Sequence, residues 1–106
     1  MNILSYIYYL VGKRYQSKKR WAEAINYYHK AQSDSNAIVN YRLGFCYEKK
    51  KDYVKASCFL QKAIENTTTK PHWYFCLAHI QTFINSPHEA IQNLKSGLSK
   101  NAHEKL

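Results

Sequence analysis

The side chains best suited to chemistry in this sequence are five histidines, three cysteines and seven carboxylates, and their spacing decides what they could do. His72, Cys76 and His79 fall at i, i+4 and i+7, so one face of a helix would present three soft ligands to a metal ion. The sequence suggests no fourth ligand, and no metal centre is expected. Glu48 and Asp52 stand four apart but straddle an expected helix end among lysines, a poor setting for paired acid and base work. His88 and Glu89 read as the first turn of a helix. There is no glycine-rich phosphate loop, no nucleophile elbow and no HExxH. Neither catalysis nor a cofactor is expected. Cys46, Cys58 and Cys76 form no CxxC pair and are odd in number, which fits a reducing compartment, the cytoplasm, better than a disulfide framework. Cys46 and Cys58 are expected to fill small apolar gaps.

These side chains must be positioned by a fold that 106 residues can build, which sets a ceiling of one domain over residues 1–106. Hydrophobic residues make up 45% of the chain, and with 10 Tyr, 4 Phe and 2 Trp this is too apolar for disorder. Only 3 Gly and 2 Pro are present, too few for the turns of a small β-sandwich or barrel, so an all-α fold is favoured. The longest apolar run, Ile3 to Val11, falls short of the roughly 20 residues needed to span a bilayer. It also lacks the basic flank and small-residue cleavage site of a signal peptide, and reads as a core helix.

Small residues recur with a fixed rhythm: Gly12, Ala24, Ala31; then Gly44, Ala56, Ala63; then Ala78, Ala90, Gly97. Larger residues keep step, with Tyr8, Val11 and Tyr15 around Gly12, Leu43 and Tyr47 around Gly44, and Tyr74 and Leu77 before Ala78. Tyr28, Leu60 and Leu94 each follow the middle small residue by one helical turn. Where two helices cross at about 8 Å, a side chain larger than alanine would force them apart. The rhythm therefore predicts paired helices touching at thin points, repeated three times. Local signals set the ends: Ser86-Pro87-His88-Glu89 as cap, first turn and capping box, Asp52 as a cap, Pro71 at a helix start, and Asn36 and Thr67-Thr68-Thr69 as turns between units. Helices are predicted over 3–17, 21–33, 37–50, 53–66, 71–84 and 87–100.

Tyr8-x2-Val11-Gly12-x2-Tyr15 with Glu23-Ala24-Ile25-x2-Tyr28-x2-Ala31 resembles a tetratricopeptide repeat, as does Leu43-Gly44-x2-Tyr47 with Ala56-x3-Leu60-x2-Ala63. Three units of about 5–36, 37–70 and 71–104 are similar to that family. The sequence departs from its pattern at Asn40 and Gln81, where large apolar residues are usual, and at Asn36, Thr68 and Ala102, where a proline often closes the unit. The resemblance implies a right-handed superhelical stack of three hairpins whose first helices line a concave groove where protein partners dock.

On that reading the groove would carry Tyr9, Lys13, Tyr41, Arg42, Phe45, Phe75 and His79, an aromatic and basic set suited to a protein or peptide partner, including an acidic one. The family's carboxylate-clamping places hold Tyr9, Lys13, Arg42, His72 and Cys76, so only part of the clamp's basic character survives and chaperone-tail recognition of that type is not expected. A second candidate is the pair of runs Lys18-Lys19-Arg20 and Lys49-Lys50-Lys51, which would stack on one edge of a chain with formal charge +9. Such an edge attracts polyanions, although cations also suit helix C-termini. No signature of specific nucleic-acid binding is present. The leading expectation is a non-catalytic protein-interaction scaffold, a module of a longer protein. Its uncovered last helix would be met by a neighbouring domain, by a second copy in a homodimer, or by solvent alone. The alternative is an accessory domain of a polymer-acting enzyme, such as a bacterial surface-glycan glycosyltransferase, with the basic edge holding the polymer.

Overall fold

The computed structural model describes residues 2–33, 36–66, 71–84 and 87–104, with side chains beyond Ser99 and at residue 66 left aside. Within them lie helices α1 (Ile3–Ser17), α2 (Trp21–Ala31), α3 (Ala37–Lys49), α4 (Tyr53–Asn66), α5 (Pro71–Phe83) and α6 (Pro87–Glu104). These follow the predicted spans closely, with α2 ending two residues early and α6 running past residue 100. The starts have visible causes. Asn36 Oδ1 accepts from the Val39 amide at 3.2 Å, Asp52 Oδ1 from the Lys55 amide at 3.3 Å, and Pro71 and Pro87 open their helices. Asn2 caps α1 by accepting from the Ser5 amide at 2.8 Å, a cap the sequence reading did not name although it placed the helix start at residue 3. The expected turn at Thr67-Thr68-Thr69, the Ser86 cap and the departure at Thr68 lie outside what is described, and Ala102 falls within α6.

Substantial packing runs only between helices adjacent in sequence, and it is more extensive within each pair α1–α2, α3–α4 and α5–α6 than between pairs. The result is an open stack of hairpins, not a bundle closed by α1 against α6. All nine small residues of the rhythm are buried. A Cβ built on Gly12 would come within 2.7 Å of the Tyr28 ring, one on Gly44 within 2.7 Å of Leu60 and 3.1 Å of the Ala56 carbonyl oxygen, and one on Gly97 within 2.7 Å of the Phe75 ring. The thin points are therefore where the two helices of a hairpin meet.

The core falls into two clusters, each lying between one hairpin and the next. Ala24, Ile25, Tyr28 and Ala31 of α2 pack with Val39, Leu43 and Cys46 of α3. Ala56, Leu60, Ala63 and Ile64 of α4 pack with Trp73, Leu77 and Ile80 of α5. Burying a side chain of this size contributes about 1.5–3 kcal/mol, so each seam adds to the stability of the hairpins on both sides of it. Asn40 and Gln81, the polar departures, are buried at 0% and 6% exposure. Both are satisfied: Asn40 donates to the Ser33 carbonyl at 3.3 Å and accepts from Gln32, while Gln81 accepts from Asn93 at 2.8 Å.

The turns inside the first two units are built alike. The Lys19 amide donates to the Gln16 carbonyl and the Arg20 amide to the Tyr15 carbonyl; the Lys51 amide donates to Glu48 and the Asp52 amide to Tyr47. This is the Schellman pattern, which needs a left-handed residue past the helix end. Lys19 and Lys51 fill it at φ 60° and 64°, where glycine would be unstrained. Of the cysteines, Cys46 is sealed between α2 and α3, but Cys58 is exposed on α4 and fills no gap, because its position faces away from both neighbouring hairpins.

Candidate functional site

The first helices α1, α3 and α5 carry the expected groove residues. On α1, Tyr9 packs on Tyr28 with ring centroids 6.0 Å apart, and the Lys13 ammonium lies 5.7 Å from the Tyr9 ring. On α3, Tyr41 stacks on Trp73 of the following hairpin at 4.8 Å and 14°, while His72 meets it edge-on at 5.7 Å. Phe45 meets Trp21 of the preceding hairpin edge-on at 6.0 Å, with Lys49 over its ring. On α5, Phe75 rests against Gly97, and His79 meets Phe83 edge-on at 5.2 Å. Tyr9, Tyr41, Phe45 and Phe75 are half-buried, so part of each ring belongs to the core and part remains open. Lys13, His72 and His79 are exposed, as are Tyr6 and Ile38 on the same faces.

Arg42 ties this region together. Its Nη1 donates to Gln16 Oε1 at 3.4 Å, and the same oxygen accepts from the buried Tyr28 hydroxyl, so α1, α2 and α3 meet in one polar contact. Its Nε is buried and has no acceptor within the protein. Burial pushes the Tyr28 hydroxyl well above the ordinary tyrosine range, a rise that the nearby Arg42 charge partly offsets. Tyr41 is raised for the same first reason.

His72, Cys76 and His79 share α5, but the two rings are engaged with aromatic neighbours, and the Cys76 thiol is raised by burial and by Glu48. Burial pushes Cys46 up to about 12, so its reactive thiolate is scarce at neutral pH. Among the described residues no group of three His, Cys, Asp or Glu is placed to hold a metal ion.

The basic runs occupy the turns described above. Lys18, Lys19, Arg20, Lys49, Lys50 and Lys51 are all exposed. Two of them have local partners as well: Arg20 pairs with Glu23 at 3.1 Å and covers the Tyr15 ring, and Lys49 covers Phe45. A shallow depression lined by Glu48, Lys49, Lys51, Tyr53, His79 and Phe83 joins the second turn to the third unit. At the first seam His29 shares a 2.9 Å hydrogen bond with the Tyr47 hydroxyl, and burial followed by Lys55 and Lys62 holds its pKa below the ordinary value. Sequence reading missed this contact, since residues 18 apart carry no local signal of pairing. No helix is long and apolar enough to cross a membrane among the described residues.

No family model and no curated protein matches the chain by sequence. Solved structures do match in shape. MamA superposes with a TM-score of 0.89 at 20% identity over 95% of this chain, which spans 60% of the MamA chain. The second TPR of Spaghetti (RPAP3), bound to the HSP90 peptide SRMEEVD, gives 0.82 at 19% identity over 91% of each chain. The TPR2B domain of yeast Sti1, in a complex with pHsp70, gives 0.87 at 21% identity over 96% of this chain and 83% of that one. With six helices, nine buried small residues and these neighbours, the chain has the tetratricopeptide repeat fold, in three units.

Proposed function

We propose that this chain is a non-catalytic scaffold of the cytoplasm that holds an acidic protein segment along the groove formed by α1, α3 and α5. The observation that carries this reading is Arg42, whose guanidinium is anchored by Gln16 while its Nε has no acceptor in the protein. A buried donor left unpaired costs about 1–3 kcal/mol, and a carboxylate arriving from a partner would relieve that cost if the guanidinium turns toward it. Lys13 adds charge along the same wall, and Tyr9, Tyr41, Phe45, Phe75 and His79 supply part-open rings beside it. The similar RPAP3 domain is bound to an HSP90 peptide ending in Glu-Glu-Val-Asp, and the Sti1 domain is in a complex with pHsp70. Here the matching wall keeps fewer cations, so we assign it acidic segments with an aromatic or aliphatic anchor, in place of that particular tail. A neighbouring domain of a longer protein is one source of such a segment.

A peptide with a Glu-Glu-Asp terminus and one aromatic residue, titrated against the chain, tests this. Arg42→Ala with Lys13→Ala should weaken binding at least tenfold, and Tyr41→Ala should weaken it further with little added salt dependence. Binding that is untouched by these changes would refute the groove.

One observation favours a second reading. Lys19 and Lys51 keep cations at left-handed positions where glycine costs less, which supports a role for the basic edge itself, such as holding an anionic polymer for an associated enzyme. Polymer affinity would then fall steeply between about 50 and 200 mM salt and vanish when the six turn cations are neutralised.

A further inference from the structure

The two seams between hairpins repeat one pattern, and the ends of the stack carry its missing halves. On the first-helix side the seam positions are Val39, Leu43 and Cys46 in α3, and Trp73, Leu77 and Ile80 in α5. Shifted back by one unit, the same positions in α1 are Ile7, Val11 and Arg14. On the second-helix side, Leu60 and Ile64 of α4 correspond to Leu94 and Leu98 of α6. Ile7 is 49% exposed, against 0% for Val39 and 4% for Trp73. Leu94 and Leu98 are 44% and 60% exposed, against 1% and 7% for Leu60 and Ile64. The face of α1 that would meet a preceding hairpin is bare, and so is the face of α6 that would meet a following one.

We infer that a second copy of this chain fills both places, with α1 of one copy seated on α6 of another in a third seam of the existing pattern. The two bare faces have already been matched to each other by the fold: each reproduces one side of an interface that forms twice within the molecule. Leu94 and Leu98 would bury against Ile7 and Val11. Arg14, at the outer edge, lays its aliphatic stem along the seam and keeps its charge in water. The two faces differ, so the contact is head-to-tail and adds copies in a line without closing. The formal charge of +9 opposes this assembly, and added salt strengthens it, the reverse of polyanion binding. The inference is independent of the groove reading, because Tyr9 and Lys13 lie on another face of α1.

Sedimentation velocity on the full chain, from about 10 μM to about 1 mM, tests the inference at concentrations suited to a small interface. The mean mass should climb past that of a dimer as concentration rises, and more steeply at high salt. Ile7→Asp and Leu98→Asp change exposed residues, and circular dichroism checks that both variants stay folded. Each variant alone should remain monomeric. Mixed in equal amounts they should form a dimer that grows no further, because each variant retains the end the other lacks. A wild-type chain that stays monomeric throughout, a requirement for only one of the two ends, or a mixture that stays monomeric would each overturn the inference.

Discussion

Leu60 and Leu94 hold the same register position in successive units, yet Leu60 is 1% exposed and Leu94 44%. Both follow the middle alanine of their unit by one helical turn, and both sit on helices that pack against a thin first helix. The difference is the neighbour: α4 is covered by α5, whereas α6 is followed by no further hairpin among the described residues. In a stack of this kind, burial belongs to the junction between units and not to the residue type.

The most severe test of that comparison is a pair of truncations. Leu60→Ala opens a cavity in the second core cluster and should cost about 2–4 kcal/mol in denaturant unfolding, whereas Leu94→Ala in dilute solution should cost less than about 1 kcal/mol. Equal costs would show that α6 is covered in the monomer after all. The glycines sharpen the contrast. Gly44→Ala gains about 1 kcal/mol of helix propensity but drives a methyl toward Leu60 and the fixed Ala56 carbonyl, and a net loss of about 1 kcal/mol is expected. At Gly97 the obstacle is the half-open Phe75 ring, which can swing aside, so Gly97→Ala should fall within about 0.5 kcal/mol of wild type. The turns should respond in the opposite direction. Lys19→Gly and Lys51→Gly relieve left-handed strain and should each raise stability by up to about 1 kcal/mol, while Lys51→Ala, which keeps the strain, should not.

The hairpin rhythm was legible because close helix crossings demand small residues, and a demand that recurs at fixed spacing cannot hide in a single sequence. Helix starts were legible where a proline or a capping side chain acts within one turn, as at Asp52 and Pro71. The contacts that join units were not. Asn40 and Gln81 read as departures from the pattern, yet each is buried among polar partners, and neither Ser33 for the first nor Asn93 for the second follows from local spacing. The residues expected in a groove fall on α1, α3 and α5, but their division between core and solvent depends on rings from other units, as with Tyr41 against Trp73 and Phe45 against Trp21. The left-handed lysines gave no warning, since a run of cations looks the same in any turn.

Cys46 lies wholly inside the first seam, with its sulfur walled in by α2 and α3, and burial holds the group as a thiol. A thiol reagent reaches it only when the first two hairpins part, while the exposed Cys58 records the reagent's intrinsic speed. The chain thus carries its own clock and its own calibration for breathing between units, and the ratio of the two labelling rates measures how often that seam opens.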